Sequence, residues 1–478
     1  MIHVFRILGG VLLCFALFMT TPLLIDWTAR APTTPYFVIA IIAAFSVGGG
    51  ALLISRSTKP LDLSRRHAFL ATGVAWFLAP AFGAIPFLGL GVNYIDAYFE
   101  AVSGMTTTGS TVLAGLDAMP RGILLWRSLL QWIGGFGIVA LGIILMPFLR
   151  VGGMQLFETE SSHKGPEKEF ARGLDLSIWL VGIYLGLSLI FTIVYTALGM
   201  SGFDAINHAM TTIATGGYST HDASFGHFQS PALEWAGVIF MLAGGISFVA
   251  YIRMLRGRRR TIFSDVQVCA FLAFFAVVTL ALAITNSRLN EVPFGEALRL
   301  AAFNAGSILT TTGYATADYQ LWGAFAVGAF FVLTFIGGCS GSTAGGIKIY
   351  RFQILAKLAR AYLTRLINPS QVIVVTYLTR RVDQDIEIAI LTFLLAMLFT
   401  VTVFTVLLSW MGLDFVTAAS AVAQAVANVG PGLGPIIGPA GNFASLPDPA
   451  KIALTVAMVV GRLEYFTIFV MLVPAFWD

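Results

Sequence analysis

Ser307-Ile308-Leu309-Thr310-Thr311-Thr312-Gly313-Tyr314-Ala315-Thr316 is the stretch around which the chain is organised. It is a threonine-rich run that ends on a glycine and an aromatic residue, set between apolar segments. Polar Thr and flexible Gly suit lipid contact badly. They suit an extended backbone whose carbonyls face an ion. A dehydrated monovalent cation needs oxygens in place of its water, and rings of backbone carbonyls can provide them. One strand cannot make a ring, but the chain holds further copies. They read Thr212-Ile213-Ala214-Thr215-Gly216-Gly217-Tyr218-Ser219-Thr220, Met105-Thr106-Thr107-Thr108-Gly109-Ser110-Thr111 and, more divergent, Ala427-Asn428-Val429-Gly430-Pro431-Gly432. Registered on one glycine they align Gly109, Gly217, Gly313 and Gly430, at intervals of 108, 96 and 117 residues. Periodicity on this scale is a whole structural unit repeated.

The surrounding chain is 57% hydrophobic and 11% charged over 478 residues, with a mean hydropathy of +0.85. A soluble protein would carry about 25% charged residues, so this is a polytopic membrane protein. The net charge of +4 is no nucleic-acid signature, because the basic residues sit in loops between apolar segments. Cys14, Cys269 and Cys339 are far apart and show neither metal spacing nor a disulfide framework.

Apolar stretches of about 20 residues, enough to cross a bilayer, fall at roughly 5–25, 36–55, 68–90, 123–149, 174–199, 232–254, 266–286, 322–347, 386–410 and 450–474, ten in all. Arg6 precedes the first, but no small-x-small cleavage site follows, so it reads as a retained anchor. With ten crossings, Arg6 and the basic residues of four loops share one side: Arg56 to Arg66, Arg150 to Arg172, Arg253 to Arg260 and Lys348 to Arg381. They make up 21 of the 28 basic residues. The positive-inside rule puts that side, and both termini, in the cytoplasm.

All four Thr/Gly motifs then lie on the outer side. Each follows an apolar run too short to span, at about 94–106, 203–214, 295–309 and 414–427. A helix that dips in and returns as extended backbone is tolerated only where it is buried in protein or lines a watery path. Its C-terminal end favours a cation. The expected fold is therefore all-α. It has about ten transmembrane helices and four helix–pore helix–filter–helix units around one pore. The units fall at 67–150, 173–257, 264–360 (its second helix broken) and 384–478, with residues 1–66 as an additional two-helix extension. Asp117, Asp222 and Asp318 follow three of the filters. They read either as a cation-concentrating mouth or as ordinary solvated carboxylates. His221 and His227 lack a helical zinc spacing and read as surface histidines.

The four filters, the fourfold plan and the Gly-rich break at 337–346 resemble the Trk/Ktr/HKT superfamily of potassium transporters, and the two extra N-terminal helices look most like its bacterial TrkH type. The resemblance covers essentially the whole chain. It implies a potassium-translocating subunit of the bacterial inner membrane, with one pore per chain, paired as a homodimer. It also implies a cytosolic TrkA-like regulatory partner, the only place a nucleotide is expected; no covalently bound cofactor is. The implied potassium-binding filter residues are Thr107, Thr108, Gly109 and Ser110; Thr215, Gly216, Gly217 and Tyr218; Thr311, Thr312, Gly313 and Tyr314; and Asn428, Val429, Gly430 and Pro431. In plant relatives a serine in place of the first filter glycine goes with sodium selectivity. Glycine stands at all four positions here, which favours potassium. The fourth copy departs from the pattern at Asn428, Val429 and Pro431.

The eighth segment holds Gly337, Gly338, Gly341, Gly345 and Gly346, five glycines in ten residues. In a helix each would cost about 1 kcal/mol relative to alanine. A loop facing the pore below the filter is the physical answer, and the resemblance makes it the gate. Ile347 stands between the second glycine and Lys348, and the flank is a membrane segment, so this is no phosphate loop. Arg462, deep in the last segment, needs a partner or a watery cavity; the resemblance places it beside the gate. Glu464 lies roughly 200° further round a continued helix and need not pair with it. No catalytic constellation presents itself, so no enzyme is expected. The competing function is a proton- or sodium-coupled potassium carrier working by alternating access through broken helices.

Overall fold

Four short helices carry the architecture: Tyr94–Met105, Gly202–Ile213, Phe294–Leu309 and Phe415–Ala427. With 12 to 16 residues they reach about 18–24 Å at 1.5 Å per residue, less than a bilayer core. Their starts are fixed by capping. Asn93, Ser201 and Asp414 accept from the backbone N–H three residues on, satisfying a donor the first turn leaves orphaned. Small side chains let them sit centrally. In the last, every residue from Thr417 to Ala427 is buried, which suits close helix approach without lipid contact.

Longer helices surround these four. The structure, a computed structural model, describes residues 1–56, 64–141, 166–257, 261–378 and 380–477. Among these residues, seven stretches are long and apolar enough to cross a membrane: Ile2–Thr28, Thr34–Ile54, Arg65–Leu90, Arg121–Ala140, Asp175–Ala197, Val266–Leu289 and Gln384–Trp410. The outermost show lipid-facing surfaces. On Gln384–Trp410, Leu395, Leu398, Phe399 and Val406 are exposed, as expected where hydrocarbon is the solvent.

Three expected spans are not straight. Pro231–Gly245 and Phe248–Leu255 meet at 91°, and Asp448–Arg462 and Phe466–Leu472 at 106°. The eighth is an 11-residue helix, Ala324–Thr334, followed by a non-helical loop. Glu464 is consequently not on a continued helix: it and Tyr465 take left-handed φ values of 55° and 61°. The basic stretch after the loop forms one helix, Ile349–Ile367, then a two-residue antiparallel strand pair at Thr376–Tyr377 and Arg380–Arg381. Lys348 and Arg351, expected among loop cations, are buried. The end of the fourth span beyond 141, the unit boundary at 150, and Lys59, Arg150, Lys164 and Arg258 to Arg260 lie outside the described residues.

The two N-terminal helices pack on each other, and the first packs on Arg121–Ala140. One buried carboxylate pins them there. Asp26 accepts from the Gly122 N–H at 2.7 Å and from the Thr33 hydroxyl. Asp26→Ala leaves both donors without a buried partner, at about 1–3 kcal/mol. Thermal unfolding in detergent should show the variant melting several degrees below the parent protein; an unchanged midpoint would contradict this role.

Candidate cation pathway

Each short helix ends the same way. Thr107, Thr215, Thr311 and Asn428 adopt left-handed φ of 53°, 49°, 57° and 55°. Each donates its N–H three residues back, to Gly104, Thr212, Ile308 and Ala425. The next residue donates five back, to Ser103, Thr211, Ser307 and Gln424. This is a Schellman cap repeated four times. A β-branched residue at positive φ is a strained choice, about 1–3 kcal/mol each, and three of the four are threonine. The cap turns the chain back sharply, and the motif glycine follows two residues later with φ of 84°, 77°, 86° and 108° at Gly109, Gly217, Gly313 and Gly430.

The four returns meet in cyclic order. A Cβ on Gly109 would overlap the Gly216 carbonyl oxygen; on Gly217, that of Thr312; on Gly313, that of Val429; and on Gly430 it would lie 3.0 Å from that of Thr108. Each glycine is thus required twice, by φ and by the neighbouring carbonyl. The ring carries no Asp, Glu, Lys, Arg or His side chain at 107–111, 215–219, 311–315 or 428–432. Backbone oxygen is what it presents in quantity.

The residue after each glycine braces a neighbouring quarter. Tyr218 Oη donates toward the Glu100 and Ser110 carbonyls at 2.9 and 3.1 Å. Tyr314 Oη bonds the Thr211 hydroxyl at 2.5 Å and the His208 carbonyl at 3.2 Å. Ser110 Oγ reaches Gln424 Oε1 and the Gly430 carbonyl, and Pro431 packs on Gly313. The side chains of Ser110, Tyr218 and Tyr314 are therefore struts. Asn428, the odd member, uses Nδ2 to reach Thr108 Oγ1 at 2.9 Å and the Met458 carbonyl at 3.0 Å.

Sequence reasoning missed the support behind the ring. Glu100 and Arg127, both fully buried, pair at 2.8 Å. Glu100 also accepts from the Thr111 hydroxyl and the Val112 N–H, and Arg127 donates to the Ser219 carbonyl. Gln131 donates to the Gly216 carbonyl and accepts from the Tyr218 N–H, filling the space that makes residue 216 a glycine. The available signal was a charge of each sign inside apolar segments.

Beneath the ring, the Gly-rich loop is fastened to three quarters. Gly346 N–H donates to the Ala427 carbonyl at 3.0 Å and Gly345 N–H to Thr311 Oγ1 at 2.6 Å. Thr343 Oγ1 donates to the Ile213 and Gly244 carbonyls. Three of its glycines are dictated by close approach: a Cβ on Gly337, Gly338 or Gly345 would overlap a carbonyl of Gly345, Gly245 or Ala427. The other two, Gly341 and Gly346, have φ of 73° and 62°. Arg462 Nη1 donates to the Thr343 carbonyl at 3.0 Å; its Nε and Nη2 have no hydrogen-bond partner among the described residues. The guanidinium borders a cavity shared with Gly345, Asn428, Gly461, Lys348 and Glu464. Glu464 pairs with Arg351 at 2.5 Å, while Lys348 Nζ donates to the Ala344 carbonyl.

The acidic mouth is not a ring of free charges. Asp222 accepts from the Gly115 and Leu116 N–H groups, and Asp318 caps Gln320. Asp117 sits below the usual carboxylate range, chiefly through its hydrogen bond from His221.

A central ring of glycine strands lies above a fastened Gly-rich loop, an arrangement that presents backbone oxygens on one axis. The sequence pattern of TrkH, a cation transport protein, matches residues 33–478. The chain belongs to the TrkH family. The Trk system potassium uptake protein TrkI of Halomonas elongata is 43% identical over 99% of this chain and 96% of its own length. Escherichia coli TrkH is 34% identical over 99% and 98%. The crystal structure of the potassium transporter TrkH from Vibrio parahaemolyticus superposes with a TM-score of 0.91 at 32% identity, covering 100% of this chain and 99% of that one. This TrkH-family chain is a membrane transport protein and not an enzyme.

In Arg127→Met, Glu100 is left buried without its cation. Breaking such a pair costs about 3–5 kcal/mol, whereas replacing both partners by neutral groups costs less. The Glu100→Gln/Arg127→Met double variant should therefore melt above Arg127→Met. Equal melting points would mean the pair does not hold the ring.

Proposed function

We propose that this chain carries potassium ions into the cell across the cytoplasmic membrane, through the ring formed by residues 107–110, 215–218, 311–314 and 428–431. The observation that carries the reading is the cyclic abutment of Gly109, Gly217, Gly313 and Gly430 on carbonyls of the adjacent quarters. Four backbone segments converging on one axis can exchange a cation's water for protein oxygen. The uptake proteins it resembles are named for potassium. In this reading the units 67–150, 173–257, 264–360 and 384–478 each contribute one quarter of a single pore, and residues 1–66 stand outside it.

The Gly-rich loop is the gate. Its bonds to Ala427, Thr311 and Ile213 hold it across the path, and Arg462 adds a positive charge that repels a cation while the loop is in place. The helix Ile349–Ile367 leaves the loop directly and can transmit movement from a cytosolic partner of the TrkA type, where nucleotide would bind. Both termini face the cytoplasm, and two copies pair in the membrane.

Planar-bilayer recording of the purified protein under opposed potassium and sodium gradients tests this. The reversal potential should lie near the potassium value, and Gly313→Ser, which puts a Cβ onto the Val429 carbonyl, should abolish the preference. Arg462→Ala should raise open probability severalfold without moving the reversal potential. Absence of current, with rubidium still accumulating in proteoliposomes on a proton gradient, would overturn the pore reading in favour of a coupled carrier.

A further inference from the structure

On the face of the ring away from the Gly-rich loop, two connecting loops meet. One follows the first filter strand and holds Asp117 in the short turn Leu116–Ala118. The other follows the second and holds His221 and His227, the latter in the turn Ser224–Phe228. Their side chains converge: one ligand atom from each of Asp117, His221 and His227 lies within 4.8 Å of the others. We propose that these three residues form a transition-metal site, of the kind that takes zinc, which clamps the loops of the first and second filter strands together.

The donor set is right for that ion class. Zinc takes imidazole nitrogen at about 2.0–2.1 Å and carboxylate oxygen at about 2.0–2.2 Å, and three protein ligands plus water is a common open site. Tetrahedral ligands at those distances stand about 3.3 Å from one another, so the three residues draw in around the ion from within 4.8 Å. The imidazoles of His221 and His227 are stacked face to face, with centroids 3.5 Å apart and planes 1° from parallel; a metal binds an imidazole nitrogen in the plane of its ring, so sharing one ion turns one ring out of the stack. Donor capacity is also left over. His221 Nδ1 bonds Asp117 Oδ1 at 2.5 Å, but His221 Nε2 has no hydrogen-bond partner among the described residues; Asp204 Oδ1 stands 3.5 Å from it. The His227 imidazole makes only ring contacts among the described residues, with His221 and Phe228.

The site is reachable and already half-assembled. Asp117 and His227 are exposed and His221 is half-buried, so an ion can enter from solution. The second loop is tied to the first by the Asp222 carboxylate, which accepts from Gly115 and Leu116, and by the Asp222 N–H, which donates to Asp117 Oδ2 at 3.3 Å. That bond holds the Asp117 carboxylate in place with its other oxygen toward the histidines. An ion bound here would reinforce the link that Asp222 already makes between the two loops.

Zinc titration calorimetry on the full-length protein in nanodiscs tests the proposal, in a Cys14→Ser/Cys269→Ser background because both thiols are exposed. His227→Phe keeps a ring for the stack and removes the nitrogen; Asp117→Asn removes the anionic ligand and keeps the shape. One zinc per chain should bind, and each variant should weaken that event at least about tenfold, since even the outer partners of metal ligands are worth about 10–100-fold. Zinc held elsewhere, for instance at the neighbouring His3 and His67 rings, would survive both substitutions. Binding that is absent, or unchanged in His227→Phe and Asp117→Asn, overturns the site.

Discussion

The structure depends on one steric constraint: four glycine Cα atoms, each pressed against a carbonyl of the next quarter. No side chain fits there, and the backbone at each glycine is left-handed. The approach can be that close only if the preceding helix stops abruptly and reverses, which the four Schellman caps achieve at the expense of threonines held at positive φ. Such strain persists where the surroundings over-determine it. Here the surroundings are the struts from Tyr218, Tyr314 and Ser110, the buried Glu100–Arg127 pair and Gln131. Rigidity at the ring and the low charge of its lining are two results of the same packing.

The lower half follows a different logic. The Gly-rich loop is held by single hydrogen bonds to filter elements and by close backbone contact, and it buries little apolar bulk of its own. Bonds of this kind contribute about 0.5–1.5 kcal/mol each, so the loop can exchange them for others without unfolding the helices around it. Among the described residues, the buried basic side chains around it are Lys348, Arg351 and Arg462, against the carboxylate of Glu464. A local excess of positive charge beside a cavity is a barrier to a cation and a site where displacement would change the barrier.

Much of this was legible in the sequence. The short helices expected at 94–106, 203–214, 295–309 and 414–427 end within a residue or so of those observed, because a polar, glycine-terminated run after an apolar one has few physical solutions inside a membrane. Glycine spacing set the register of the ring for the same reason. The sharp bends at 245–248 and 462–466 were not legible: hydropathy records which residues prefer lipid and says nothing about chain direction. The pairing of Glu464 with Arg351 was hidden by that bend, since a continued helix places Glu464 elsewhere. Glu100, Arg127 and Gln131 stood in plain view as polar residues in apolar segments, but their partners lie up to 92 residues away and only the fold brings them together.

In the proposed pore, backbone carbonyls from four parts of one chain coordinate a monovalent cation on a common axis. Diffraction from crystals grown in rubidium or thallium salts would reveal such an ion through its anomalous signal. Density should lie on the axis of the ring, within coordinating distance of the carbonyls of Thr108, Gly216, Thr312 and Val429, and be weaker in Gly313→Ser. An ordered ring with no density there, and the ion instead beside Glu464 in the cavity below, would contradict it.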